Sequence, residues 1–131
     1  MDRLMKAKTL FFVLLLLLVG CRQNSTTPTP DASFLINVRY EPDPPTVGEG
    51  IVVVILRDSG GFPIDNATLF LRGDMTHAGM APVETEFSDS ADGEYRVPFD
   101  WNMGGDWILT VRAVLADGTA SEVQFNVSVG S

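Results

Sequence analysis

Cysteine is almost missing from this chain: Cys21 is the only one in 131 residues. No disulfide can close within the chain, and no thiolate pair can hold a metal or a redox couple. Histidine is as scarce, with His77 alone. A single imidazole falls short of the roughly three His or carboxylate ligands that a zinc hydrolase uses. A Ser-His-Asp triad would have to use His77, and no Gly-x-Ser-x-Gly elbow is present. The paired carboxylates, Glu84 with Glu86 and Asp89 with Asp92, read as solvated strand and turn residues. These absences predict a protein that is not an enzyme. Lysine disappears after Lys8. Nucleic-acid binding needs a basic footprint, and the chain past residue 20 has none, so that class of partner is excluded.

The first residues are of a different composition. Arg3, Lys6 and Lys8 precede an apolar run from Leu10 to Val19, which ends in Leu18-Val19-Gly20-Cys21. A basic start, a short apolar stretch and a small residue before the cut describe a secretory signal over residues 1–20. The run is shorter than the ~20 apolar residues that a membrane-spanning helix needs. Leu-Val-Gly-Cys resembles the lipobox of bacterial lipoproteins, which implies that Cys21 becomes the lipidated first residue of the mature chain. The expected location is the bacterial cell envelope, with the protein anchored to the extracytoplasmic face of a membrane through that lipid. Gln23 to Asp31 contains no apolar residue and two prolines, so residues 21–32 read as the lipidated cysteine and a flexible tether. Without residues 1–20, six basic and sixteen acidic side chains remain, a net charge of −10. Such a surface favours cations or basic partners and disfavours direct adhesion to anionic lipid.

From Ser33 onward the hydropathy alternates with period two. Phe34–Tyr40, Ile51–Leu56, Ala67–Arg72, Val83–Phe87, Glu94–Phe99, Trp107–Val114 and Glu122–Val129 read as strands. Ile51–Leu56 is uninterrupted and suits a central strand covered on both faces. Pro98 implies an edge strand or a bulge. Asp58-Ser59-Gly60-Gly61, Asp92-Gly93, Gly104-Gly105 and Asp117-Gly118 mark turns between them. Residues 33–131 are therefore expected to form one all-β domain, an immunoglobulin-like antiparallel β-sandwich of about seven strands.

The fold accounts for most of this segment but not for Gly73 to Pro82. That stretch holds His77, Met75 and Met80; the remaining methionine past the signal is Met103, between Trp101 and Trp107. Methionine is ordinarily a core filler, yet the spacing predicts all three in loops. Thioether and imidazole together make a soft donor set that suits Cu(I). In an extended segment Met75 and His77 would share a face. Gly79 would then turn the chain to bring Met80 back, and Met103 would approach from the second loop.

Met75-x-His77-x-x-Met80-x-Pro82, then Gly93-x-Tyr95 and Met103-x-Gly105-x-Trp107, resembles the YtkA-like domain family, which is related to FixH. The resemblance spans about Ser33 to Val129. It implies an exported or membrane-attached immunoglobulin-like domain associated with copper handling and respiratory oxidase assembly. It also implies His77, Met80 and Met103 as metal ligands, with Met75 beside them, and a respiratory oxidase or copper-trafficking protein as partner. Two other readings stand beside it. Loop acids Asp58, Asp65, Asp89, Asp92 and Asp117 are hard donors of the kind Ca²⁺ takes. The Met and Trp loops also suit a non-metal contact surface for another envelope protein.

Overall fold

The computed structural model describes residues 33–131, and the expected signal and tether lie outside the described residues. Seven strands follow in chain order: β1 (Phe34–Glu41), β2 (Gly48–Asp58), β3 (Thr68–Met75), β4 (Val83–Phe87), β5 (Glu94–Trp101), β6 (Gly105–Val114) and β7 (Ala120–Val129). They form two sheets, in the orders β1-β2-β5 and β4-β3-β6-β7, and every neighbouring pair is antiparallel. Three hairpins stay within a sheet, while the β2–β3, β4–β5 and β5–β6 connections cross between sheets. This is the Greek-key crossing pattern of immunoglobulin-like sandwiches.

The period-two pattern is what builds the core. Along β5, Tyr95, Val97, Phe99 and Trp101 are buried and alternate with solvated residues. Leu69 and Leu71 of β3, and Trp107, Leu109, Val111 and Ala113 of β6, face them from the other sheet. Gly73 keeps the gap narrow: a Cβ there would stand 2.7 Å from Cζ of Phe99 and 3.2 Å from Cε3 of Trp107. Tyr95 is fully buried, and its hydroxyl is satisfied twice. It accepts from Ala67 N at 3.0 Å and donates to the Ile64 carbonyl at 2.9 Å, fastening the β2–β3 connection to β5.

β2 is the middle strand of its sheet and is covered on both faces. Val52, Val54 and Leu56 face the core, while Val53 faces outward and is still 0% exposed. Its cross-strand neighbours are Arg39 and Arg96. Arg39 pairs with Glu41 at 3.6 Å and with Glu94 at 3.5 Å, and Arg96 pairs with Glu41. Arginine stems cover apolar surface while their charged heads stay in water, which accounts for a fully buried Val53 between two arginines on this face. The Arg96 guanidinium holds the Glu41 carboxyl below the ordinary carboxylate range. β5, the strand with Pro98, lies at an edge, where its missing N–H costs no ladder bond.

Candidate metal centre at one end of the sandwich

β3 runs to Met75 and β4 starts at Val83, so residues 76–82 form one end loop. Residues 102–104 form another, between β5 and β6. The two loops are neighbours because Met75 lies opposite Trp107 in the β3–β6 ladder. The pairing continues one step further: Asp106 O, at the start of β6, accepts from Thr76 N at 3.1 Å and from Thr76 Oγ1 at 3.3 Å. Past Thr76 the chain bends, and Gly79 turns it with φ 85°. Nothing lies within 4 Å of a Cβ at Gly79, so the backbone angle alone favours glycine there.

The second loop is held from below. Trp107 Nε1 donates to the Met103 carbonyl at 3.0 Å. The indole is itself fixed by packing, 5.4 Å from Trp101 and edge-on to it at 86°. Trp101 also contacts Phe99 at 4.6 Å and the ring of Tyr40 at 6.2 Å. Both tryptophans are 1% exposed. They form the aromatic floor under this end and belong to the core. Burial, helped by the nearby Asp43 carboxylate, pushes the Tyr40 phenol up to about 12.

The candidate ligands divide into two groups. His77 is exposed on the first loop, Met80 is 39% exposed beside it, and Met103 is 42% exposed on the second loop. Met75 differs from its expected place. It is the last residue of β3, 9% exposed and part of the core cluster. Its Cε lies 3.2 Å from where a Cβ on Gly105 would stand. The expectation that all three methionines occupy loops is thus corrected for Met75. So is the shared face of Met75 and His77, because the regular strand ends at Met75 and the bend at Thr76 interrupts the alternation. Sequence reasoning also passed over Thr76 and Asp106, the pair that ties the first loop to the start of β6. Asp106 acts through its main-chain carbonyl, so its residue type carries no signal of this role.

Among the described residues, no group of three or more His, Cys, Asp or Glu side chains gathers in a way that would hold an ion. Three of the loop acids are hydrogen-bonded, Asp58 and Asp117 within their own turns and Asp65 across to the β4–β5 connection. Asp58 Oδ1 accepts from Gly60 N and Phe62 N, at 2.9 and 3.0 Å. Asp65 Oδ1 accepts from Ser90 Oγ and Gly93 N, at 2.8 and 2.9 Å, and Asp117 Oδ1 accepts from Thr119 N at 2.8 Å. The bonds of Asp58 and Asp117 are the ordinary work of aspartate in turns, while those of Asp65 fasten the β2–β3 connection to the β4–β5 connection.

Two neighbouring loops carrying thioethers and an imidazole over a buried aromatic floor, on a seven-stranded immunoglobulin-like sandwich, define the structural class. The YtkA-like family matches residues 33–112, and the chain belongs to that family. The match runs from β1 through most of β6. No curated protein matches the chain.

Proposed function

We propose that this protein is an extracytoplasmic lipoprotein, anchored through Cys21, whose sandwich takes up a soft metal ion, Cu(I), at its methionine and histidine end. The observation that carries this reading is the placement of Met80 and Met103. Both thioethers are about two-fifths exposed, at 39% and 42%, on loops that leave the paired ends of β3 and β6. Methionine is usually interior, and an exposed pair on adjoining loops beside the chain's sole imidazole makes a chemically coherent donor set. Thioethers are soft and have no proton to lose, so they suit Cu(I) and keep their affinity in acid. One imidazole with two thioethers is too thin a set for Cu(II). His77, Met80 and Met103 are the proposed ligands, and Met75 supports the loops from the core. Resemblance to the family supports a role in copper handling or respiratory oxidase assembly, with a copper-trafficking protein or an oxidase subunit as partner.

Anaerobic titration of Cu(I) against a chromogenic chelator tests the reading. One-to-one binding is expected, weakened about tenfold or more by His77→Ala and by Met80→Leu, a loss of about 1.4 kcal/mol each. A folded wild type that cannot compete with the chelator would rule the site out. A second reading is favoured by Val47, 46% exposed at the same end. With Met80 and Met103 it makes an adaptable apolar tip for another envelope protein. In that case Met80→Leu and His77→Ala would leave partner binding almost unchanged.

A further inference from the structure

The exposed large apolar side chains among the described residues are not scattered. Met80, Met103 and Val47 lie at the end just described, and Phe70 lies mid-sheet with the Arg112 guanidinium 5.9 Å over its ring. The two barest, Leu35 at 55% and Phe62 at 69%, lie at the opposite end. Leu35 is the second residue of β1 and sits across from Arg57. Phe62 closes the turn after β2, its carbonyl accepting from Asp58 N at 2.9 Å. Pro63 bridges Arg57 from the other side. Leu35, Arg57 and Pro63 thus run in a row across the tip of the sheet, with Phe62 on the turn beside them.

This is also the end where the chain enters, because Phe34 opposes Asp58 at the last position of β2. Cys21 is separated from Ser33 by residues 22–32, eleven residues that reach at most about 40 Å. Three acids of this tip are hydrogen-bonded, Asp58 to Gly60 and Phe62 and Asp117 to Thr119 within their own turns, and Asp65 to Ser90 and Gly93 of the β4–β5 connection, while Asp89 and Asp92 of that connection are exposed. Arg57 forms no ion pair among the described residues.

We infer that the entry tip docks on the lipid headgroup layer, with Phe62 and Leu35 entering the interface and Arg57 meeting lipid phosphate. The inference rests on the lipid-anchor reading of Cys21. Aromatic and aliphatic side chains with a nearby arginine suit that boundary, where one end of each group is apolar and the other wet. The anchor holds the tip close to the bilayer, so a contact too weak to act alone is populated through its high effective concentration. Its effect is on pose. Strands of eight to eleven residues rise about 3.3 Å per residue, and docking by one tip holds Met80 and Met103 roughly that strand length away from the membrane.

The test uses the full chain, lipidated at Cys21, in phosphatidylcholine vesicles, whose zwitterionic surface does not repel the acidic domain. Trp101 and Trp107 are buried and report little, so a tryptophan is placed at each end in turn, as Phe62→Trp and as Val47→Trp. Docking predicts that the Phe62→Trp emission moves to the blue and is quenched about twofold or more by acyl-brominated lipid, while Val47→Trp is not. Adding Leu35→Asp to Phe62→Trp should largely remove the quenching. Equal quenching at both ends, or none at either, overturns the proposal. A blue shift that grows with protein concentration in the absence of vesicles overturns it too, and assigns the surface to a second copy. Mass analysis of the Cys21 peptide reads the anchor separately. If no acyl group is found there, coupling the single thiol to a maleimide lipid tests the docking by itself.

Discussion

At the scale of single residues, Tyr95 carries a load that its place in a Gly-x-Tyr stretch only hints at. Its hydroxyl serves Ala67 N and Ile64 O in a region with no water access. Tyr95→Phe keeps the ring packing and leaves a buried N–H and a carbonyl without partners. It should cost about 1–3 kcal/mol, read as a lower urea midpoint at unchanged m-value; a loss under ~0.5 kcal/mol would show the hydroxyl to be dispensable. Met75 shows where residue-level reading stops. Composition treats it like Met80 and Met103, but one turn of geometry separates them. Met75 sits in the last inward position of β3, and Met80 lies beyond the bend at Thr76. No property of the residue distinguishes the two; the length of the strand does.

At the scale of elements, strand positions were legible because one face of each strand is buried and the side-chain period of two shows it directly. Val83–Phe87 coincides with β4, and Pro98 sits in an edge strand as a missing N–H requires. Strand ends were less legible. β2 extends from Gly48 to Asp58 and β3 continues to Met75, past the apolar runs, because ladder bonds continue where side chains no longer report burial. The tie of the His77 loop to β6 rests on a main-chain carbonyl and left no trace in the residue pattern. At the opposite end, the Gly93 N–H and the Ser90 hydroxyl hold the Asp65 carboxyl below its ordinary range. Glu41 and Asp117 are shifted the same way, by Arg96 and by the Thr119 N–H. These carboxyls release their protons more readily folded than unfolded. Their stabilisation is complete at neutral pH, above the ordinary carboxylate range, and is lost as pH falls through that range and on through the lower folded values. Thermal midpoints measured from pH 7 to pH 3 should therefore decline, and Asp65→Asn should flatten the decline. An identical slope in the variant would remove Asp65 from the account.

At the scale of the whole molecule, the family match and the folding unit have different limits. The match ends at Arg112, within β6, whereas β7 pairs with β6 along its full length from Gly105 to Val114. Val127 and Val129 of β7 belong to the core. A chain cut after Arg112 would leave one face of Trp107, Leu109 and Val111 without cover, and it is expected to lack the far-ultraviolet strand signature that residues 33–131 give. A cooperative unfolding transition in the shorter chain would contradict this. The last residues also lock the two sheets together. Gly130 N donates to the Pro45 carbonyl and its own carbonyl accepts from Val47 N, both at 2.9 Å. Ser131 is thereby placed beside the second loop, its Oγ 3.1 Å from where a Cβ on Gly104 would stand. That position decides how the protein can be handled. A polyhistidine tag or a surface-coupling group appended after Ser131 would hang beside Met103 and supply imidazoles of its own, so a purification handle or sensor-chip linkage belongs at the entry end.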